Sequence, residues 1–529
     1  MNPLPAPRTE RDPVLVVGAG PVGLTAATEL RRRGVAVRCI DKASGPSPLS
    51  KSLAVWPRAM EVLLQLGDRR LVEERSLPLR AFRYYSSNVQ IADICFTDRT
   101  RPVVLVQPDV EELLRDAFAT IGGRVEWGTE LVALDQDTDG VKALVRYPDG
   151  TERREEFSYL VGSDGASSTV RTLLDIPFEG ATYPNTFVLA DVKLTAPLQH
   201  AAAHYYCSPR GVLVVVGLPS GRFRVFTSAA PDLDRDSVTL ETVQRLVNER
   251  GPGSLTLYDP AWVSAFSVHA RHAKRTRVGN VFLAGDAAHI HSPAGGQGLN
   301  CGITDAHNLA WKLAMVWRGR ASDRLLSSYE PERRGVARTV VRQADLQTRF
   351  WLLRKRHQVA LRDSAFRVAS ALRLANLGPV PEMAGLRTVY PPLDGLRHRS
   401  AGGFVPGGLA PDWPVWNERA GARQPLRGAL TPYGYTLLIR TDRRSEVAPD
   451  VADVVDRILS SYPDLVEVRT LGADRVLHDG AIESARPGRR HVRHAPTLAL
   501  IRPDHHVAMA RPAGQARDIE QHLRLVLQT

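Results

Sequence analysis

The chain has 529 residues, more than a single hydrophobic core supports, so about two or three domains are expected. The hydrophobic fraction of 43% and the charged fraction of 24% are ordinary for a folded globular protein and exclude an intrinsically disordered chain. The net charge of +12 comes mostly from arginine, and the short basic blocks at 31–33 and 354–356 lie in segments of helical apolar spacing. This pattern favours solvated helix faces over a polyanion-binding surface and predicts no nucleic-acid partner.

The chain opens with a βαβ unit. Residues 14–17 are apolar and predict a strand, and after a glycine-containing turn residues 24–33 and 35–40 predict a helix and a second strand. Such a unit begins a parallel sheet. Residues 58–66 and 109–120 have the apolar spacing of amphipathic helices, which we expect to pack on this sheet.

Strands of a different type follow. They are rich in β-branched residues and predict a mostly antiparallel sheet, inserted into the first domain, from residues 81–94, 187–193, 211–218 and 222–228. The first domain then resumes with a strand at 278–283 and helices at 303–317 and 331–355.

The end of the chain predicts a separate unit. Residues 378–414 are rich in proline and glycine and are interpreted as a linker. Four further strands are predicted at 435–440, 465–470, 497–502 and 506–509, before a final helix. The predicted fold class is therefore α/β, with a Rossmann-like domain at 1–80, 102–180 and 268–395, an inserted sheet domain at 81–101 and 181–267, and a C-terminal α/β domain at 396–529.

Four cysteines are scattered along the chain at Cys39, Cys95, Cys207 and Cys301, without CxxC or metal-ligand spacing. This predicts reduced thiols, a cytoplasmic location and no bound metal. The N-terminus shows no secretory signal, and no apolar run approaches the roughly 18 residues of a membrane span. We therefore expect no membrane partner.

The first motif is Gly18-Ala-Gly20-Pro-Val-Gly23, which follows a strand and opens a helix. Asp41 ends the next strand, at the spacing of a dinucleotide fingerprint. The glycines permit a tight turn and close approach of a pyrophosphate, and the carboxylate accepts from a ribose hydroxyl. The motif predicts nucleotide binding but does not distinguish FAD from NAD.

A second element, far downstream, resolves this ambiguity. Gly285-Asp286 ends a strand and is followed by Pro293 and the glycine-rich segment 295–300, which begins a helix. Such a turn is suited to a ribityl chain and a flavin ring, whereas a nicotinamide alone would not need it. A third turn, Asp164-Gly165, follows the strand at 159–161 and by itself marks only a helix start.

Together the three elements resemble the class A flavoprotein monooxygenases, the para-hydroxybenzoate hydroxylase-like family. The run GDAAHIHSPAGGQGLNCGITDAHNLAWKLA and the segment WVSAF are most similar to the aromatic polyketide hydroxylases of that family, which act on anthracycline and angucyclinone intermediates. The resemblance covers nearly the whole chain. It implies an FAD-binding first domain, a substrate-binding inserted sheet and a thioredoxin-like C-terminal domain.

The resemblance also implies roles for single positions. It places Val22 at the pyrophosphate, Asp41 at the ribose, Gln107 at the FAD, Val132 at the adenine and Asp286 at the ribityl chain. Leu299 and Asn300 would meet the flavin ring through backbone atoms, and Asp164 would serve both FAD and NAD(P)H. The full set of expected cofactor-binding residues is Gly18, Gly20, Pro21, Val22, Gly23, Asp41, Lys42, Lys51, Gln107, Val132, Asp164, Gly165, Gly285, Asp286, Pro293, Gly298, Leu299 and Asn300.

The chain departs from the family pattern at two places. Lys51-Ser52 stands where relatives usually have Arg-Gly, so flavin or NADPH contacts there are expected to differ. The C-terminal domain lacks the CxxC of thiol exchange, so a structural or oligomerisation role is the better interpretation.

The implied reaction is hydroxylation of a phenolic or polycyclic polyketide substrate. NADPH or NADH reduces the flavin, O2 forms a C4a-hydroperoxyflavin, and an electron-rich ring carbon takes one oxygen atom. Baeyer–Villiger oxygenation, oxidative inactivation of an antibiotic, and ligand sequestration without catalysis remain alternatives. A halogenase is disfavoured because the chain lacks a WxWxIP pattern. The oligomeric state is expected to be a monomer or a homodimer.

The substrate pocket is expected between the inserted sheet and the Pro293 loop, at a domain boundary. Phe82, Tyr84, Tyr206 and Phe226 are candidate lining residues, although core packing explains these aromatic residues equally well. His269, His291 and Pro293 are the candidates for a catalytic role. A lone histidine is more often structural, so no catalytic base is assigned.

Overall fold

The structure is a computed structural model that describes residues 11–50, 52–195, 198–393, 399–417, 421–440, 449–471, 482–484 and 496–528. Its first sheet is built from short apolar strands in the order Arg277–Val278, Val281–Leu283, Tyr159–Gly162, Val14–Val17, Val37–Asp41 and Val125–Trp127. Every neighbouring pair is parallel except the first. Val14–Val17 is wholly buried, because helices cover one face of this sheet and three antiparallel strands within residues 130–157 pack on the other. The predicted βαβ unit is confirmed.

Helices cover this sheet and share one apolar core with it. They are Pro21–Arg32, Pro57–Leu66, Gln107–Thr120 and Gly298–Trp317, and they include both predicted amphipathic helices. Shorter helices span Arg69–Arg75, Thr169–Leu173 and Asp323–Ser327.

Two small antiparallel sheets beside the first sheet had no counterpart in the sequence prediction. One contains Glu130–Gln136, Val141–Arg146 and Glu152–Phe157, and the other contains Ala54–Val55, Val103–Val104 and Leu77–Pro78. Glu152–Phe157 reads ERREEF and is mostly exposed. Apolar alternation, the signal of a half-buried strand, is therefore missing there.

The inserted sheet is confirmed as mostly antiparallel. Its strands lie in the order His289–Ile290, Leu257–Ala273, Phe178–Leu194, Phe223–Ala229, Gly211–Gly217, Ala202–Ser208, Ala81–Ser86 and Val89–Cys95. Ala202–Ser208 and Ala81–Ser86 form its parallel pair. One face packs on the helix Leu240–Arg250. The other face carries an aromatic cluster and meets the helices Tyr329–Trp351 and Arg356–Ala371.

The structure corrects two predictions in the segment that follows. The helix expected at 331–355 is divided into Tyr329–Trp351 and Arg356–Ala371. The linker interpretation of 378–414 is also wrong for the described part of that segment, which contains the helix Pro379–Met383 and the buried residues Tyr390 and Phe404. Proline and glycine here shape a packed segment instead of a mobile connection.

The C-terminal sheet lies in the order Ala422–Pro425, Pro414–Asn417, Ile482–Ser484, Val466–Leu471, Tyr435–Arg440, Thr497–Ile501 and Val507–Pro512. The helices Pro449–Ser461 and Ala516–Val526 pack on it. The same core includes Trp311 and Met315, so this unit lies directly against the helix Gly298–Trp317 of the first unit. Among the described residues, no helix combines the length and the apolar character that a membrane crossing needs.

Candidate functional site

The three sequence motifs meet at one edge of the first sheet. Val17, Gly162 and Leu283 end adjacent parallel strands and lie in register. The turns that follow them begin at Gly18, Ser163 and Ala284. Ligands of open parallel sheets bind outside the carboxyl ends of the strands. The structure therefore brings motifs that begin 267 residues apart, at Gly18 and Gly285, into one crevice.

The first glycine turn is tightly packed. Gly18 has φ +99°, and a Cβ added there would lie 2.5 Å from the carbonyl oxygen of Ser163. A Cβ on Gly23 would lie 1.8 Å from the carbonyl oxygen of Gly18. A Cβ on Gly20, by contrast, would have no described atom within 4 Å. The turn is closed on the protein side and open at Gly20, where a pyrophosphate would lie.

The helix that starts at Pro21 leaves its first N–H groups available, because among the described side chains none caps it. The carboxylate of Asp41 accepts from the backbone N–H of Ala19 at 2.7 Å and of Ala43 at 2.8 Å. Thr129 donates its N–H to the Asp41 carbonyl, which places the strand of half-buried Val132 beside this turn. Lys42 is exposed. These residues fit the adenosine half of a dinucleotide.

Asp164 and Gly165 form the turn after the middle strand. The Asp164 carboxylate accepts from the Ser168 hydroxyl at 2.6 Å and from the Val170 N–H at 3.1 Å. It therefore stabilises the start of the helix Thr169–Leu173, and its expected contact with FAD and NAD(P)H stays a prediction. Gly165 has φ +79°, a conformation that favours glycine.

The Gly285-Asp286 turn rests on the first motif. Gly285 has φ +60°, and a Cβ there would lie 2.7 Å from Cγ2 of Val22. Asp286 is exposed at the open side of the turn. The backbone N–H of Gly285 donates to the buried carboxylate of Asp305 at 3.1 Å. Sequence reasoning did not select Asp305.

The glycine-rich turn before the helix Gly298–Trp317 is anchored by Trp56. The Trp56 N–H donates to Oδ1 of Asn300 at 2.7 Å, and its indole N–H donates to the Gly295 carbonyl at 2.8 Å. Pro293 is exposed and Leu299 is buried. Within the described part of the chain no side chain caps this helix, so its first N–H groups fit the polar edge of a flavin ring.

Gln107 begins the helix Gln107–Thr120 and donates its backbone N–H to the Ser50 hydroxyl at 3.2 Å. Ser50 is held in turn by Arg224 of the inserted sheet, which donates to the Ser50 carbonyl at 2.7 Å and forms a bidentate pair with Asp191. Arg224 and Asp191 were missed by sequence reasoning. Lys51 lies outside the described residues.

Three of the four proposed substrate residues lie on the face of the inserted sheet that carries the aromatic cluster, here called the aromatic face. Phe82, Tyr84 and Phe226 belong to the cluster that includes Ala294 of the glycine-rich turn. The Tyr84 ring stacks on Tyr205 with centroids 4.7 Å apart. The aromatic face therefore adjoins the turn expected at the flavin ring.

Tyr206 does not face this cluster, which corrects its expected position. It stacks on Tyr85, with centroids 4.7 Å apart, on the face covered by the helix Leu240–Arg250. Its neighbour Tyr205 takes the position on the aromatic face. The strand Ala202–Ser208 is buried on both faces, so its sequence does not alternate between apolar and polar residues. The sequence therefore does not show which face Tyr206 occupies.

His269 is also displaced from the expected pocket. Phe266 and Val268 pack on the aromatic cluster, so His269, one residue further along the strand, points to the opposite side. Its Nδ1 lies 2.9 Å from the Thr182 hydroxyl. Burial and the charge of Arg271 lower the pKa of His269. A role for His269 in deprotonating a substrate on the aromatic face is therefore not supported.

His291 does lie beside the glycine-rich turn. A Cβ on Gly298 would be 3.9 Å from its Nε2, and its Nδ1 lies 2.7 Å from the Ser292 carbonyl. That contact assigns the proton to Nδ1 and leaves a lone pair on Nε2. Burial lowers the pKa of His291 to about 4, so it is neutral at physiological pH and a weak base.

A cavity of about 320 Å³ opens elsewhere, between the helix Tyr329–Trp351, the segment 382–391 and the C-terminal unit. It borders Asn300 at one end and His307 and Asp504 at the other. Trp56, Met383 and Ala384 line this cavity and also belong to the aromatic cluster or pack against it, so the cavity adjoins the aromatic face of the inserted sheet.

Comparisons with known proteins agree with this geometry. A family model described as "FAD binding domain" matches residues 11–344. A 6-methylpretetramide 4-monooxygenase from Streptomyces rimosus is 36% identical over 464 residues, covering 82% of this chain and 80% of that protein. Among solved structures, an anhydrotetracycline hydroxylase from Streptomyces rimosus has a TM-score of 0.76 at 29% identity, covering 98% of this chain and 99% of that one. An aklavinone-11 hydroxylase, solved with FAD and aklavinone, has a TM-score of 0.76 at 25% identity with the same coverage.

Proposed function

This chain belongs to the FAD-binding family of aromatic monooxygenases, and we propose that it uses FAD, NADPH or NADH, and O2 to hydroxylate a polycyclic polyketide or related phenol. Family membership agrees with the resemblance drawn from the sequence. The observation that carries the proposal is the meeting of three turns, after Val17, Gly162 and Leu283, beside an aromatic sheet face. The tetracycline-type and anthracycline-type names of the relatives support a polycyclic substrate.

Each turn has a proposed task in holding the cofactor. The N–H groups after Gly20 would bind the pyrophosphate, and Asp41 would accept from the ribose. Asp286 would bind the ribityl chain, and the first turn of the helix at Gly298 would face the flavin ring. When bound, the flavin supplies hydride acceptance and activation of O2, chemistry that amino-acid side chains do not provide.

The aromatic face has a different task. Phe82, Tyr84 and Tyr205 are buried in one aromatic cluster with Phe226, and we propose that this cluster forms an apolar wall beside a planar ring system. Such walls also exclude water, which protects a hydrolysable oxygenating species. Pro293 directly precedes Ala294 of this cluster and is proposed to contact both ligands.

The domain division is part of the proposal. The strands Phe178–Leu194 and Leu257–Ala273 run across the expected boundaries at 180/181 and 267/268, so the FAD-binding and substrate-binding units share two continuous strands. In the C-terminal unit, Tyr435–Arg440 is parallel to Val466–Leu471 and antiparallel to Thr497–Ile501. With the intervening helix Pro449–Ser461, this order supports a thioredoxin-like core.

The cellular setting and assembly are further proposals. Cys95 is exposed as a free thiol, which supports a reducing, cytoplasmic compartment. A monomer or a homodimer is proposed, and sedimentation of the holoprotein distinguishes the two.

The experiment is NADPH and NADH oxidation by the FAD-loaded protein, with and without a panel of phenols, quinones and tricyclic or tetracyclic polyketides. We expect oxidation to be stimulated by a polycyclic phenol, with a product heavier by one oxygen atom and with intact rings. A ring-opened product would favour Baeyer–Villiger oxygenation, and loss of antibacterial activity would favour antibiotic inactivation. Tight binding without stimulated oxidation would favour sequestration and contradict the proposal.

A further inference from the structure

A buried carboxylate connects two of the turns proposed to hold FAD. Asp305 lies in the helix Gly298–Trp317 and is only 1% exposed. Its Oδ2 accepts from the backbone N–H of Gly285 at 3.1 Å and lies 2.7 Å from Nε2 of His289. Its Oδ1 accepts from Nε of Arg333 at 2.6 Å. One side chain therefore joins a turn, a short strand and two helices.

Arg333 extends this connection to the start of the helix. Another guanidinium nitrogen donates to the Cys301 carbonyl at 3.3 Å and to the Thr304 hydroxyl at 2.9 Å. Its third nitrogen donates to the Tyr390 hydroxyl at 2.7 Å. Two of the three guanidinium nitrogens therefore bind the first turns of the helix, and the third connects Arg333 to Tyr390.

The cluster is held together by charge. Burial acts to lower the pKa of His289, but the neighbouring Cys301 and Asp305 outweigh burial and raise that pKa well above its usual value. Burial acts to raise the pKa of Asp305, but the charges of Arg333 and His289 outweigh it and lower that pKa. Breaking a buried ion pair by removing one partner is far more disruptive than breaking a surface pair.

A metal ion is a poorer explanation of the same residues. Ligand atoms of His289, Cys301 and Asp305 lie within 4.8 Å of one another. The guanidinium of Arg333, however, already neutralises Asp305 from 2.6 Å and would repel a cation. The cluster is therefore interpreted as a structural ion-pair network that connects neighbouring elements.

We propose that Asp305 is a positioning residue for FAD, because its carboxylate fixes the turn Gly285–Ala287 relative to the first turn of the helix Gly298–Trp317. Val22 packs against Gly285 and positions the turn relative to the first motif, whereas Asp305 connects the turn to the helix. Without the carboxylate, the Gly285 N–H and Arg333 lose their common acceptor, and the two cofactor-binding elements separate. The inference rests on the proposed function only in assigning both elements to FAD.

The test compares FAD affinity in Asp305→Asn, Arg333→Lys and Glu61→Gln proteins. Flavin fluorescence on titration of the apoprotein gives the dissociation constant, and the visible circular dichroism of bound FAD reports how the ring is held. Asp305→Asn keeps the size of the side chain but removes its charge. We expect a dissociation constant about tenfold higher or more, with an altered flavin spectrum. Arg333→Lys keeps the positive charge but loses the three-nitrogen guanidinium group, and a smaller rise in the FAD dissociation constant is expected.

Glu61→Gln is the matched control. Glu61 forms ion pairs with Arg58 and Arg427. Among the described residues, its ion-pair partners do not belong to any of the three turns. It should lower the unfolding temperature without changing FAD affinity or spectrum. If Asp305→Asn does not fold, Arg333→Lys carries the test alone.

Wild-type FAD affinity and an unchanged spectrum in the folded variants would overturn the inference while leaving the proposed function intact. Failure of the wild-type protein to bind FAD would instead overturn the proposed function.

Discussion

Val22 packs directly beneath Gly285, and a methyl group on that glycine would lie 2.7 Å from the valine Cγ2. The first residue follows the first strand of the chain, and the second follows a strand more than 260 residues later. This contact sets the spacing between the turn proposed for the pyrophosphate and the turn proposed for the ribityl chain.

Gly285→Ala should therefore disrupt cofactor binding. The substitution adds a methyl group against Val22 and forces alanine to adopt φ +60°, a conformation that costs about 1 kcal/mol or more. We expect FAD affinity to fall at least about tenfold in a titration of the apoprotein. Gly253→Ala is the control, because its Cβ would have no described atom within 4 Å and its φ is not positive. Equal FAD affinity in the two variants would contradict the role of the contact.

Asp41→Ala should weaken FAD binding by a different route. The substitution removes the carboxylate that accepts from the Ala19 and Ala43 N–H groups and thereby orders the first turn. The same carboxylate is the proposed acceptor of the ribose hydroxyl. We expect the FAD dissociation constant to rise about tenfold. Asp41→Asn retains one carbonyl oxygen and should show a smaller rise. Unchanged binding in Asp41→Ala would remove Asp41 from the site.

Tyr205 and Tyr206 provide a paired test of the substrate face. Tyr205→Leu alters the aromatic cluster beside the glycine-rich turn, whereas Tyr206→Leu alters the opposite face beneath the helix Leu240–Arg250. The first should raise KM for a polycyclic substrate several-fold, about what loss of a stacking ring removes. The second should lower the unfolding temperature and leave KM unchanged. The reverse result would place the pocket on the other side of the sheet.

Glu61 predicts a specific dependence of stability on pH. Burial acts to raise its pKa, but the charges of Arg58 and Arg427 outweigh burial and lower the pKa of Glu61 to about 2. A depressed carboxyl pKa stabilises the folded state above the unfolded-state value near 4.5, and that stabilisation is lost as the pH falls through about 2. Wild type should therefore exceed Glu61→Gln in free energy of unfolding at about pH 7, and the difference should shrink towards about pH 3. Urea unfolding at both values measures this, and a difference independent of pH would refute the ion pair.

The sequence predicted the parts of the site that local motifs encode. Gly18 and Gly285 lie just after strands and Asp41 ends one, and the backbone geometry needed at a strand end strongly restricts the choice of residue. The carboxyl ends of neighbouring parallel strands then converge without further information.

Residues that depend on long-range packing could not be predicted in the same way. Asp305 and Arg333 lie in helices whose sequences show only ordinary helical patterns, and their pairing appears only when the helices pack. Tyr206 was placed on the wrong face because its strand is buried on both sides. For His269 a signal was available, since Phe266 and Val268 alternate with it and mark the opposite face as apolar.

We propose that an FAD held between distant turns transfers one atom of O2 to an aromatic ring. The test is the mass of the product formed from a polycyclic phenol by the holoprotein, NADPH and isotope-labelled dioxygen. We predict that the product carries one labelled oxygen atom on an intact ring system and forms only with reductant present. A product without the label, or one whose new oxygen comes from labelled water, would contradict the claim.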